Sequence, residues 1–153
     1  MAGPIAMGLV GDAEPAEIVA YFSARGIDAV LFDAAKVCGP DHIVSARLHA
    51  ERAFEGGWNR SRTPAMETIL YAAGERQIQV AKPLMDPVRG KPMGAVLSGD
   101  GDYDLSDIGM ERDDSVIASS DGKLAALGIG NPLGLDPADL ALEAVAMLEL
   151  EKK

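Results

Sequence analysis

Short apolar runs without helical periodicity recur along this chain, and glycine, proline or charged residues bound them. Residues 5–10 end at Gly11 and Asp12, and residues 27–32 follow Gly26. Apolar runs of about four to eight residues between turn-forming residues are typical of buried strands. The pattern therefore predicts strands at residues 5–10, 27–32, 92–97 and 114–118.

Between these runs, apolar residues recur at the three- and four-residue spacing of a helix that faces a core. The helix starts are marked by Asp41 as an N-cap and by Pro64 in the first turn of a helix that starts at about Thr63. Gly56 and Gly57 are expected to end the first of these two helices and Gly74 the second. The fourth helix is expected to be short, because prolines follow residue 82. The pattern predicts helices at residues 12–25, 41–55, 63–73, 75–82, 121–127 and 137–150.

Strands and helices alternate along the whole sequence, which places the chain in the α/β or α+β class. We expect a small mixed β-sheet packed with several helices, in a single domain over residues 1–153. The single cysteine, Cys38, excludes an internal disulfide and a cysteine-rich zinc site. No apolar run approaches the ~18 residues that cross a bilayer, and the first residues lack the basic start of a signal peptide, so we expect a cytoplasmic protein without membrane contact.

The charge of the chain is unevenly distributed. Residues 36–91 contain nine lysines and arginines against six acids, which gives this segment a net charge of +3. Because the whole chain has a net charge of −10, the remaining residues carry −13. A positive patch on a negative body can orient a protein toward a polyanion while the rest of the surface keeps it in solution. The alternative interpretation is a set of solvated helix faces that bind nothing.

The candidates for catalysis or metal binding are weak. Cys38 and His42 lie four residues apart, as a nucleophile and its base could, but no third group that would orient them is evident. A buried, inert cysteine is the alternative. His42 and His49 lie near one helix face, yet no carboxylate stands at a fitting spacing for zinc. We therefore expect no catalytic residue, no metal and no cofactor.

An acidic loop is predicted at residues 98–114. Asp100, Asp102, Asp104 and Glu111 match the first, third, fifth and twelfth positions of the calcium-binding EF-hand loop. Leu105 stands where the sharp turn of that loop needs glycine, and no clear helix precedes the segment. We expect a solvated acidic loop here rather than a calcium site.

The central residues resemble a known family. A basic, serine-containing segment at residues 59–62 leads into a helix, a short glycine-containing link and an Arg-Gln-Ile sequence. This arrangement resembles the small kinase-binding subunit of the KEOPS complex, the PRPK-binding protein family. The resemblance covers about residue 30 to the end, and a Phe-Gly-Ile turn common in that family is replaced here by residues 83–87. The matching positions are Glu67, Leu70, Tyr71, Gly74, Arg76, Gln77, Ile78 and Ala81.

The resemblance implies a non-catalytic subunit that binds the atypical kinase of KEOPS and recruits tRNA through its single-stranded 3′ CCA end. Such a subunit supports threonylcarbamoyl adenosine modification of tRNA. Arginine can pair with phosphates and stack on unpaired bases. The nucleic-acid contacts expected on this basis are Arg60, Arg62, Arg76 and Lys82, with Trp58 and Tyr71 as weaker stacking candidates.

The last predicted helix is apolar on almost all sides, so we expect it to have partners on two sides. One face would pack on the sheet, and the other would either be buried as well or meet a second protein. Under the resemblance, Val145, Leu148 and Leu150 are expected to insert into an apolar patch of the kinase.

Other interpretations remain open at this point. Glu67 and Arg76 could form a structural pair across the helix junction instead of leaving Arg76 for RNA. The chain could be a stand-alone α/β domain that binds an anionic metabolite or nucleotide at a mouth formed by residues 8–12 and the cationic helices. It could also be an architectural subunit whose cations serve only solubility.

Overall fold

The computed structural model describes residues 3–152 and contains one four-stranded sheet. Each apolar run that becomes a strand is bounded by glycine, proline or aspartate, as expected from the sequence. The spatial order is β2-β3-β1-β4, and every neighbouring pair is antiparallel. The strands are β1 (Ile5–Gly11), β2 (Asp28–Asp33), β3 (Met93–Ser98) and β4 (Met110–Arg112).

Within residues 3–152, six α-helices pack around this sheet, and short 3-10 turns lie at residues 34–36, 105–108 and 114–117. Proline in the first turn begins four of the helices, because its fixed φ suits that turn and its missing N–H costs no hydrogen bond there. The helices are α1 (Pro15–Ser23), α2 (Pro40–Gly56), α3 (Pro64–Ala73), α4 (Ile78–Met85), α5 (Asp121–Ala126) and α6 (Pro137–Lys152).

The two faces of the sheet carry separate cores. Side chains alternate across a strand, so Leu31 faces one side while Val30 and Phe32 face the other. Helix α1 covers the first side through Ile18 and Phe22. Helices α2, α3 and α6 cover the second side, where the larger cluster of buried residues lies. The candidate functional surfaces all involve this second layer of helices.

The predicted fold class is confirmed, since helices and strands alternate in one compact domain. The sheet is antiparallel throughout, however, and not mixed as expected from the sequence. β3 lies between β1 and β2, so the two strands that come first in the chain both pair with a strand whose paired residues lie sixty or more positions later. Within the residues that the structure describes, no helix has the length and apolar content that a membrane span requires.

Two local predictions are wrong. Residues 114–117 form a 3-10 turn and not a strand, because the Asp113 carboxylate accepts hydrogen bonds from the N–H and hydroxyl of Ser115. Helix α2 takes Gly39 as its N-cap in place of Asp41. The φ of Gly39 is +97°, a value that suits glycine, and Pro40 then opens the helix.

Helix α4 also differs from its prediction, since it starts at Ile78 and contains Pro83. A proline in a helix removes one backbone hydrogen bond and disturbs the preceding turn. Ala81 and Met85 of this helix are buried against the larger core. Their burial keeps the last turn helical past the proline. The sharp ends at Gly57 and Gly74, both with positive φ, are as predicted.

Candidate nucleic-acid interface

Three of the four cations predicted to bind RNA lie around one groove. Arg60 and Arg62 belong to the loop between α2 and α3, and Arg76 belongs to the link between α3 and α4. Together with Met66, Leu70 and residues 77–79 they line a cavity of about 300 Å³, which we call the arginine groove. Cationic residues surround an apolar floor in this arrangement. Chain segments that are separate in sequence thus form one positive concave surface.

A buried carboxylate fixes the loop that carries Arg60 and Arg62. Glu67 in the first turn of α3 is fully buried, and its two oxygens accept the N–H of Arg60 at 3.0 and 3.1 Å. One of these oxygens also accepts the N–H of Ser61 at 2.8 Å and the hydroxyl of Ser61 at 2.7 Å. A carboxylate with this many donors holds the backbone of the loop in a single geometry.

The partner of Glu67 comes from the end of α6. The side chains of Lys152 and Glu67 are both 0 % exposed, and the ammonium group of Lys152 donates to the Glu67 carboxylate. The ammonium also lies 4.0 Å from the ring centroid of Tyr71, a cation–π distance. Burial lowers the pKa of Lys152 to about 8, and repulsion from the charge of Arg60 makes a smaller contribution in the same direction. The lysine therefore lies between a carboxylate and a ring, sealed from water.

The last turn of α6 contacts the groove at two further points. A guanidinium nitrogen of Arg60 donates to the carbonyl of Lys152 at 3.4 Å, and Arg76 lies 4.0 Å from the carboxylate of Glu151. Both contacts are loose, and the side chain of Arg76 remains 61 % exposed. Arg62 is exposed and has no ion-pair partner among residues 3–152. The arginines are thus oriented but remain available to an anion.

This geometry corrects the proposed pairing of Glu67 with Arg76. Glu67 pairs with Lys152, and Arg76 approaches Glu151. The sequence contained little signal for Lys152, since it lies 85 residues from Glu67 and ends a helix that is otherwise apolar. A glutamate among the apolar residues of α3 was the only indication that a buried cation was needed.

Lys82 does not share the arginine groove. It lies on α4, where its ammonium group binds both oxygens of Asp86 at 3.0 Å. It lines a different cavity, beside α1 and β2. The prediction that Lys82 joins the three arginines in one site is therefore not supported by its position.

The two aromatic stacking candidates also lie outside the groove. Tyr71 is 0 % exposed and belongs to the larger core, and burial raises the pKa of its hydroxyl while a hydrogen bond with Trp58 lowers it. Trp58 packs partly buried against the same core, with its ring over the backbone of Gly56. A side chain at position 56 would overlap that ring. Tyr71 is therefore a core residue that cannot stack on a base in this fold.

Two of the three residues predicted to contact a kinase are buried. Val145 and Leu148 are 1 % and 2 % exposed and pack into the larger core of this chain. Insertion of either side chain into a partner would leave a cavity here, so we correct that prediction. Leu150 is 69 % exposed, and Met147, three residues before it, is 50 % exposed. The exposed apolar part of α6 therefore centres on Met147 and Leu150, its two large exposed apolar side chains.

Cys38 and His42 are in contact, but in a structural arrangement. The Cys38 N–H donates to Nδ1 of His42 at 3.0 Å, and Nε2 of His42 donates to the Ala72 carbonyl at 2.8 Å. Burial raises the pKa of the Cys38 thiol and lowers the pKa of His42. The imidazole thus joins the start of α2 to the end of α3, with both of its nitrogens occupied.

The acidic segment at residues 98–114 is more ordered than a simple loop. The Tyr21 hydroxyl donates to Asp107 at 2.7 Å, and Asp104 caps the 3-10 turn through Ser106. No group of three or more possible metal ligands occurs within residues 3–152. The partial match to a calcium loop is therefore not accompanied by a cluster of ligands.

No protein-family model matches this chain, and no curated protein matches it either.

Proposed function

We propose that this chain is a non-catalytic subunit of a KEOPS-type complex that binds the atypical kinase of the complex and holds the 3′ CCA end of tRNA. In this role it supports threonylcarbamoyl adenosine modification of tRNA. The observation that supports the proposal is the convergence of Arg60, Arg62 and Arg76 on one groove. All three arginines belong to the positively charged segment that carries the resemblance, and the fold brings them together.

The shape of the arginine groove favours a single-stranded end. A cavity of about 300 Å³ is at the small end of ligand sites, so it suits one splayed nucleotide and not a duplex. Guanidinium groups bind phosphates and also stack on bases, while Met66 and Ile78 offer apolar surface to a base. The groove thus has the two elements that sequence-tolerant binding of a single strand requires.

The electrostatics of the whole chain support a local contact. A body with a net charge of −10 repels the bulk of a polyanion, so attraction is confined to the positive groove. Binding of this kind is weakened by salt, because phosphate contacts release counterions. A protruding end can reach the groove while the body of the tRNA stays away from the acidic surface.

The proposed kinase contact is the exposed apolar part of α6, Met147 and Leu150. Acidic residues lie beside it, including Glu143 and Glu151. An apolar centre with a charged rim is the usual anatomy of a protein–protein contact. The last turn of the same helix carries Glu151 and Lys152, which contact Arg76 and Arg60, so the proposed kinase and RNA contacts meet at one helix end.

The alternative of an anionic ligand at residues 8–12 is not supported. The N–H of Gly8 donates to the Asp114 carboxylate at 3.0 Å, and a Cβ at position 8 would lie 2.0 Å from the Asp113 carbonyl oxygen. The backbones are therefore in contact, with two aspartates beside them. An anion would meet like charge there and find no open mouth.

The test is a titration with tRNA, followed by fluorescence anisotropy. We expect removal of the CCA end to weaken binding about tenfold or more, since each lost stacked base costs about 1–3 kcal/mol. The variant Arg62→Gln/Arg76→Gln should weaken binding of intact tRNA to a similar degree. The slope of log K against log salt should fall by about 0.7 for each phosphate contact that is lost.

The matched control is Arg89→Gln/Lys91→Gln, which removes two exposed cations outside the groove. This variant and Lys82→Gln should bind tRNA as the unchanged chain does. Equal affinity for tRNA with and without the CCA end would refute the RNA proposal. If the control variant lost as much affinity for tRNA, the arginine groove would contribute only to the general attraction between charges and not a specific contact.

A further inference from the structure

The second surface of interest is the open edge of the sheet at β2. The bond from the Ala34 N–H to the Pro92 carbonyl, at 3.2 Å, extends the β2–β3 ladder and fixes its alternation. In an antiparallel pair every second residue directs both its N–H and its C=O to the partner strand. The N–H and C=O groups of Val30 and Phe32 therefore point toward β3. The N–H and C=O groups of Ala29 and Leu31 point away from the sheet.

These outward groups open into an apolar groove between the two helical layers. The walls are Pro15, Ala16 and Val19 of α1 on one side and Ala65 and Ile69 of α3 on the other, around a cavity of about 280 Å³. We call this cavity the β2 groove.

The outward main-chain groups of β2 are almost dry. Ala29 and Leu31 are 4 % and 6 % exposed, and within residues 3–152 no hydrogen bond to their outward N–H or C=O groups is present. A main-chain group that is shielded from water without a partner is unfavourable. An extended main chain has the donors and acceptors at the spacing that would satisfy these groups.

The charged residues of β2 and of the groove lining are neutralised within the chain. Asp28 pairs with Arg47 at 2.7 Å, and Asp33 pairs with Lys36 at 3.1 Å. Lys82, at the rim, pairs with Asp86 at 3.0 Å. A charged ligand would find no free counter-charge and would lose its hydration. Charge complementarity therefore selects an uncharged segment.

We propose that the β2 groove binds an uncharged, apolar segment of another protein in extended conformation, which joins the sheet as a strand beside β2. Residues of that segment opposite Ala29 and Leu31 direct their side chains toward α1, and the residues between them toward α3. A second copy of this chain does not fit as the occupant. Its own β2 is recessed between α1 and α3, so two such edges cannot approach to hydrogen-bonding distance.

This proposal is independent of the RNA proposal. The β2 groove and the arginine groove share no lining residue, although α3 contributes to both. Failure of peptide binding would leave tRNA binding untouched, and the reverse also holds.

The experiment uses a seven-residue peptide with blocked ends, in which five alternating valines and isoleucines lie between two serines. Amide hydrogen exchange is followed by NMR. At saturation we expect exchange of the Ala29 and Leu31 amides to slow about tenfold or more. The amides of Val30 and Phe32 already bond to β3 and should change little.

Two modified peptides separate strand addition from simple apolar contact. N-methylation of alternate amides blocks one edge of the peptide and should leave binding intact, because the other edge still faces β2. N-methylation of every central amide should abolish binding, although the peptide becomes more apolar. If the two modified peptides bound equally well, the proposal would be overturned. It would also be overturned if the unmodified peptide did not bind at millimolar concentration.

Matched variants locate the contact. Val19 and Leu48 are 37 % and 38 % exposed and lie on α1 and α2, but only Val19 lines the β2 groove. We expect Val19→Lys to weaken peptide binding about tenfold or more and Leu48→Lys to have no effect. If both variants behave alike, or if Ala29 and Leu31 are protected by self-association without peptide, the proposed occupant is wrong.

Discussion

Replacing Lys152 by methionine tests whether the buried ion pair with Glu67 holds the groove loop in place. Methionine retains most of the apolar stem of the side chain and removes the charge. Glu67 would then remain buried as an unpaired carboxylate, because its side chain is 0 % exposed. Loss of one partner of a buried pair costs about 3–5 kcal/mol. A domain is stable by about 5–15 kcal/mol, so this single change removes a large part of the total.

The measurement is equilibrium unfolding in urea at neutral pH, followed by circular dichroism. We expect Lys152→Met to lower the free energy of unfolding by about 3–5 kcal/mol with little change in m value. The double variant Glu67→Gln/Lys152→Met should recover much of this loss. A glutamine oxygen can still accept the N–H groups of Arg60 and Ser61, and no buried charge remains.

The control is Lys82→Met, which breaks the exposed pair of Lys82 with Asp86. The side chains of Lys82 and Asp86 are 57 % and 44 % exposed, so we expect the free energy of unfolding to change by about 0.5 kcal/mol or less. Equal losses in Lys82→Met and Lys152→Met would refute the reasoning. A double variant no more stable than Lys152→Met alone would show that charge burial is not the cause of the loss.

The other predictions concern the same region. Leu148→Arg should unfold the chain, whereas Leu150→Arg should leave the melting temperature within a few degrees and abolish capture of the kinase subunit. Kinase capture that survives Leu150→Arg would exclude this face of α6.

Much of the fold could be predicted from the sequence because its signals are local. Thr63 followed by Pro64 marks the start of α3, and the Thr63 hydroxyl does accept the N–H of Met66 at 3.1 Å. Glycine at positive φ ends α2 and α3 as expected. The failures occurred where side chains compete with the backbone, as Asp113 does at Ser115, or where burial outweighs a helix breaker, as at Pro83.

The candidate site could be predicted only in part for a related reason. Arg60 and Arg62 lie in one loop, so their proximity needed no knowledge of the fold. Lys82 follows Arg76 closely in sequence, yet α4 turns it toward β2 and away from the groove. The ion pair of Glu67 with Lys152 joins positions 85 residues apart, and no local pattern specifies such a contact.

The strand order has a consequence for synthesis of the chain. β3 lies between β1 and β2, and Ile5 and Asp28 pair with Leu97 and Ser98 respectively. During translation, the first two strands leave the ribosome without the strand that joins them. The nascent chain must therefore carry unpaired apolar strands until the residues of β3 have emerged, which is the period when chaperones are needed most.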